Sequence, residues 1–511
     1  MVSHRTGRRR GLAALATAGF LLPFALPGPA RAIEEVQVEL PLLDVTFRVK
    51  VSELSDPARL LHGSSDLAEL DRATGGLLGR RIAEFFNTPL PLQTTAVVEQ
   101  TAGSALLDQA LLAASTIGSI DGLPIQPDTT ELPAAFRNAA ARGEVTLLSL
   151  LEAVPGRVVE VDLPSALASL RRIVRQREHA EAIAARRVPR SADPALAQPG
   201  PHAVRIEDHR LTVPHRERPL EVVEVVPQDG GNGRLAVISH GLWDGPESFL
   251  GWATHLASHG YTVLLPRHPG SDQQNQRAIL NGEAPPPSPE ELKLRPLDVK
   301  AVIDAAAARS LPVPERLDTD RVVVLGHSWG ATTALQLAGV QPSSRRLRQR
   351  CDDLEDPERN LSWVLQCSFL DAADRAGLAD PRVIAVAAVS PPLSLLFDQG
   401  AGKGASARVL LVTGTRDWVV PPDPEAVDRF EEPARNGHQL VVVRGGDHFN
   451  LRGPADGDGG PLRALLLAWA DGAHAAGDRV RPGPGAPSLL PPDGWGDPVL
   501  PVVAAGPPAA S

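Results

Sequence analysis

Methionine, tyrosine and lysine are almost missing from this 511-residue chain: it has one Met, at position 1, one Tyr and four Lys. With its single thioether at the initiator, the rest of the chain offers none to oxidise. Scarce lysine beside abundant Arg, Ala, Gly and Pro reflects genome composition rather than function. Basic excess is missing too: 51 Lys and Arg stand against 61 Asp and Glu. The charges are evenly scattered, so no nucleic-acid partner is expected. The run Arg345, Arg346, Arg348 and Arg350 reads as a solvated helix face. Past the N-terminus no apolar run reaches the roughly 20 residues of a membrane-spanning helix, and no stable span is expected. Only two cysteines occur, Cys351 and Cys367, with no histidine between them. That pattern does not make a metal site, and neither metal nor cofactor is expected.

Residues 1–32 have the layout of an export signal. Arg5, Arg8, Arg9 and Arg10 form a basic start, residues 11–26 an apolar segment interrupted by Pro23, and Ala30-Arg31-Ala32 a cleavage motif. Arg9-Arg10 also fits a twin-arginine signal, which leaves the route open. The expected destination is the periplasm or the exterior. In that oxidising setting Cys351 and Cys367, sixteen apart, are expected to form a disulfide worth about 3 kcal/mol in the loop-entropy picture.

The chain is long enough for two domains. Residues 33–190 open with strand-like alternation (Val36, Val38, Leu40, then Val45, Phe47, Val49) and continue in helical blocks. A smaller, mainly helical N-terminal domain is expected there. Residues 191–201 (SADPALAQPGP) read as a linker, and residues 481–511, rich in Pro, Gly and Ala, as a disordered tail. Between them, residues 202–480 alternate strands with helices. The pattern predicts an α/β fold with a doubly wound, mostly parallel sheet that binds ligands at the carboxyl ends of its strands. Residues 341–381, holding both cysteines, form an insertion expected to act as a lid or pocket wall.

The apolar run 321–325 (RVVVL) leads into Gly326-His327-Ser328-Trp329-Gly330, and a helical stretch follows. A G-x-S-x-G pattern between strand and helix makes Ser328 a candidate nucleophile, because the small flanking residues permit a bend that lifts Oγ above the sheet edge. A serine hydroxyl needs a general base, itself oriented by a carboxylate. His448, in the loop after the last strand of the alternation, is the candidate base. Asp417, just past the preceding strand, is the candidate acid; Asp423 and Asp447 are the other acids in range. Acyl transfer also needs amide donors for the developing oxyanion. The amides of Trp329 and of Leu242, in the loop His240-Gly241-Leu242-Trp243, are the candidates, with His240 bracing that loop rather than reacting. Trp243, Trp329 and Trp418 adjoin these loops. Trp243 and Trp418 are candidates to line an apolar substrate pocket; the alternative is that such tryptophans fill core.

Ser239-His240-Gly241-Leu242, residues 255–261 (HLASHGY), residues 268–272 (HPGSD), GHSWG and residues 445–451 (GGDHFNL) together resemble the α/β-hydrolase superfamily. The likeness is to the branch of predicted dienelactone hydrolases and platelet-activating-factor acetylhydrolases, over about residues 202–477. Residues 40–51, 85–89 and 149–153 are similar to a domain of unknown function fused to secreted hydrolases in cyanobacteria. The resemblance implies a Ser328–Asp417–His448 triad. Dienelactone hydrolase proper uses a cysteine nucleophile, so a serine at 328 favours ordinary ester chemistry. A secreted serine hydrolase is expected, acting through an acyl-enzyme on a small-molecule, lipid or polymer ester. The competing expectations are an amidase, thioesterase or peptidase on the same triad, or a cell-envelope binding protein whose hydrolase domain is scaffold. Nothing in the sequence fixes the oligomeric state.

Overall fold

The computed structural model describes residues 33–40, 45–88, 103–115, 118–120, 131–143, 145–154, 156–427, 436–454 and 458–505. The expected export segment lies outside them.

A nine-stranded sheet organises the larger part of the chain. Its strands are β5 (Val204–Leu211), β6 (Leu220–Pro227), β7 (Arg234–Ser239), β8 (Thr262–Pro266), β9 (Asp318–His327), β10 (Val383–Val389), β11 (Arg408–Gly414), β12 (Gln439–Val443) and β13 (Val502–Ala504). They lie in the order β13-β12-β11-β10-β9-β7-β8-β6-β5. The run from β12 to β8 is parallel, while β6, β5 and β13 are added antiparallel at the two edges. Parallel strands are covered on both faces and so read as unbroken apolar runs. The two-residue period of a strand sorts those runs: Leu235 and Val237 enter one core, Ala236 and Ile238 the other. Helices Glu291–Ala307 and Trp329–Leu337 cover the first face, Leu250–Ser258 and Arg463–Ala475 the second.

A smaller unit precedes this sheet. Strands β1 (Glu35–Leu40), β2 (Val45–Lys50), β3 (Gly118–Ile120) and β4 (Val158–Val161) form a sheet in the order β2-β1-β4-β3. Its helices pack a separate core around Val51, Leu54, Leu60 and Leu67. Two of its helices lean on the larger body. Leu106, in helix Ala105–Ser115, joins the large core. Ala184, in helix Leu163–Ala185, packs on Val442 and Val503.

Two expectations are corrected. The stretch read as a linker holds helix Pro194–Ala197, capped by Asp193, and Ala192 bridges Trp495. The tail read as disordered is ordered to residue 505: Leu489, Leu490 and Trp495 are buried, and β13 pairs with β12. Its high Pro, Gly and Ala content hid the few large apolar residues that dock it. The insertion is stitched to its surroundings. Cys351 and Cys367 are joined by a disulfide, and Arg350 pairs with Asp356 at 2.5 Å and Glu358 at 2.7 Å. Buried Glu425, outside the insertion, accepts hydrogen bonds from Asn360, Ser362 and Gln366 within it. No helix among the described residues is long and apolar enough to cross a membrane.

Candidate active site

Ser328 stands between β9 and helix Trp329–Leu337 with φ 54° and ψ −123°, a conformation L-residues rarely adopt. The turn is possible because of the glycines on either side. A Cβ on Gly326 would lie 2.1 Å from the Gly330 carbonyl oxygen, and one on Gly330 would lie 1.9 Å from that of Ser239. The Ser328 amide still donates to the Val389 carbonyl at 2.9 Å. The strain is therefore held by the β9–β10 pairing.

His448 and Asp417 are brought together at the same end of the sheet. His448 Nδ1 lies 2.9 Å from Asp417 Oδ2, and both side chains are buried. The other oxygen, Oδ1, accepts the amides of Val419 at 3.0 Å and Val420 at 2.8 Å. With Oδ1 so engaged, Oδ2 faces the imidazole. The other two acids have different partners: Asp423 bonds His179 of the N-terminal unit, and Asp447 accepts the amides of Phe449 and Asn450, both at 2.8 Å. His327, next to Ser328 in the chain, contacts His448. Its Nε2 donates to the His448 carbonyl at 2.8 Å, and the two ring centres lie 4.7 Å apart with planes tilted by 49°. Burial, then the nearby His448, hold His327 neutral, well below the ordinary histidine range.

The loop 240–243 borders Ser328: a Cβ on Gly241 would lie 3.2 Å from Ser328 Cβ. Among the described residues the amides of Leu242 and Trp329 donate no backbone hydrogen bond, which leaves both free to meet an anionic oxygen. Trp243 has φ 55° and donates its amide to the Ser271 carbonyl at 2.7 Å. His240 is a brace: Nδ1 bonds the Gly241 carbonyl at 2.8 Å, Nε2 accepts the His268 amide at 3.0 Å, and its own carbonyl accepts from Arg295.

Behind that brace lies a network that sequence reading missed. Ser239 Oγ is 2.9 Å from His268 Nε2, and His268 Nδ1 is 2.8 Å from Asp298 Oδ2. Asp298 also accepts from His215 at 2.8 Å and from Arg216 at 2.9 and 2.6 Å. Burial opposes its charge, yet the bonds from His215, His268 and Arg216 hold the carboxyl well below its usual range. Burial, then Arg295, push His268 down to about 3, so it is neutral at any ordinary pH. Burial lowers Arg295 itself to about 9.

The three tryptophans separate. Trp329 is core, with the Arg295 guanidinium 4.7 Å from its ring centre and Phe369 at 4.9 Å. Trp243 is half-buried against the same core. Trp418 is 53% exposed beside Asp417.

Residues 236–508, over half of the chain, match the model of the Alpha/beta hydrolase family. The match begins inside β7 and runs past β13, so the tail to residue 508 lies within it. No curated protein matches the chain.

Proposed function

Because the chain belongs to the Alpha/beta hydrolase family, we propose that it is an exported serine hydrolase that cleaves carboxylic esters through an acyl-enzyme. The observation that carries this reading is the strained Ser328 turn, with the His448–Asp417 pair at the same strand ends. Ser328 Oγ attacks the ester carbonyl as His448 Nε2 takes its proton. Asp417 holds the imidazole by Nδ1 and stabilises the imidazolium that forms. The amides of Leu242 and Trp329 receive the oxyanion, each worth on the order of 3 kcal/mol of transition-state stabilisation. His448 returns the proton to the departing alcohol, and water, activated by the same histidine, then releases the acid and frees Ser328.

Within the family, the motifs HGLW, HPGSD, GHSWG and GGDHF support a place near the dienelactone hydrolases and platelet-activating-factor acetylhydrolases. A serine at 328 supports ester rather than dienelactone chemistry. Half-buried Trp243 and exposed Trp418 favour an apolar acyl group at the rim. Residues 1–32 and the Cys351–Cys367 disulfide support export to an oxidising compartment.

Labelling of the mature protein by a fluorophosphonate, with assay of p-nitrophenyl esters of several chain lengths beside an anilide and a thioester, tests the proposal. Ester cleavage and labelling lost in Ser328→Ala are expected. Labelling undiminished in that variant would overturn the serine mechanism, and faster cleavage of the anilide or thioester would overturn the ester assignment.

A further inference from the structure

Far from Ser328, the outer strands gather a second set of chemically able side chains. β5 reads VRIEDHRL, and the two-residue period sets Glu207 and His209 on the same face as Leu211. The antiparallel register places Glu207 directly opposite Glu224 of β6, and His209 opposite Val222. Like charges facing each other across a strand pair are destabilising. Glu224 is also fully buried, in a strand whose other residues are apolar except Glu221.

A buried carboxylate ordinarily has a hydrogen-bond partner for each oxygen. Here Oε2 lies 2.9 Å from His209 Nε2, while Oε1 is buried and, among the described residues, meets no donor. Arg205 pairs with Glu207 at 3.3 Å, both largely at the surface, which answers the charge of Glu207 but leaves the free oxygen of Glu224. Glu207, His209 and Glu224 each present a ligand atom, and these atoms lie within 4.8 Å of one another. Among the described residues no other group of three or more His, Cys, Asp and Glu does so.

We propose that Glu207, His209 and Glu224 bind a divalent transition-metal cation of the zinc type. One imidazole nitrogen and two carboxylates form a borderline-hard donor set that zinc accepts in four-coordination, with water as the fourth ligand. Three protein ligands are too few for calcium, which takes six to eight oxygens, and the set lacks the thiolate that monovalent copper prefers. The ion adds positive charge between the facing carboxylates and a ligand bond to Glu224, whose Oε1 is otherwise without a donor among the described residues. β5 is the outermost strand, so the ion enters from solvent without opening the sheet. The site lies on β5 and β6, separated from β9 and its serine turn by β7 and β8. Its role is to pin the edge strand to the sheet, and it is independent of the hydrolytic reading.

The test uses the full mature chain stripped with a chelator. Zinc is titrated by calorimetry, cobalt by its visible absorption, and thermal melting is followed with and without zinc. One ion per chain, an imidazole-containing cobalt spectrum and a zinc-dependent rise in melting temperature are expected. Glu207→Gln and His209→Gln, which alter side chains at or near the surface and spare Glu224, should weaken binding at least tenfold and abolish the rise, with ester turnover unchanged. Absence of saturable binding by the unaltered chain, or binding that survives both substitutions, would overturn the site.

Discussion

Ser328, His448 and Asp417 lie at the carboxyl end of the central strands, and Ser239, His268 and Asp298 form a second chain of the same three residue types beside the loop that faces Ser328. In the second chain all three side chains are sealed from solvent, the serine ends an unstrained strand, and the carboxylate is neutralised by Arg216. In the first, the serine is forced to φ 54°, and among the described residues the carboxylate pairs with His448 and with backbone amides rather than with an Arg or Lys. The same three residue types therefore stand in two different electrostatic settings. An aspartate already matched by a guanidinium has little left to offer a developing imidazolium, whereas one held by amides keeps its charge for that moment. The second chain is framework: it fixes His268, whose amide fixes His240, whose backbone carries the loop at Leu242.

Substituting equivalent members of the two chains sets them apart most sharply. Ser328→Ala should lower ester turnover about a millionfold if the triad acts as one unit. Ser239→Ala should leave turnover within about tenfold while costing about 1–3 kcal/mol, because it strips a partner from a buried nitrogen; steady-state kinetics and urea unfolding read both. The acids should behave in opposite ways. Asp417→Asn should cut turnover by about 10⁴ with little change in melting. Asp298→Ala should cost about 3–5 kcal/mol of stability, since it leaves Arg216 and two histidines without their buried anion. Equal losses of activity in Asp417→Asn and Asp298→Ala would erase the distinction.

Acid probes the neutral histidines that such packing creates. Burial holds His255, His438 and His474 each at about 4, and His268 at about 3. Unfolded, each titrates near pH 6.5. Between pH 6.5 and 4 the unfolded chain binds protons that the folded chain refuses, so stability is lost as pH falls, at up to about 1.4 kcal/mol per pH unit for each histidine. Urea midpoints measured across that window should decline steadily; a flat profile would contradict neutral burial. Smallest is the effect expected at the rim of the first chain. Trp418→Ala should shift stability by less than about 0.5 kcal/mol and raise KM for long-chain esters more than for acetate.

The first chain could be picked out in the sequence because its geometry demands marked residues. Gly326 and Gly330 are required where backbone approaches backbone, and the central strands announce themselves by apolar runs buried on both faces. Asp417 could be preferred to Asp423 and Asp447 from its place just past a strand, and the hydrogen bonds give each of the three acids a different partner. The second chain left no local trace: Ser239, His268 and Asp298 are about thirty residues apart and meet only because β7, the loop after β8 and helix Glu291–Ala307 converge. The edge strands were hidden for another reason. β5 is half charged, and β13 is three residues in a proline-rich tail, so pairing register rather than periodicity defines them.

β13 carries a consequence for handling the molecule. It covers the free edge of β12, the strand that leads to His448, and the chain reaching it crosses the last helix so closely that a Cβ on Gly472 would lie 1.9 Å from the Leu489 carbonyl oxygen. A version of the protein ended near residue 480 would uncover a row of unpaired amides and carbonyls, a template on which a second molecule can add its own strand. Shortening the chain there would be felt first as insolubility, before any loss of activity could be measured.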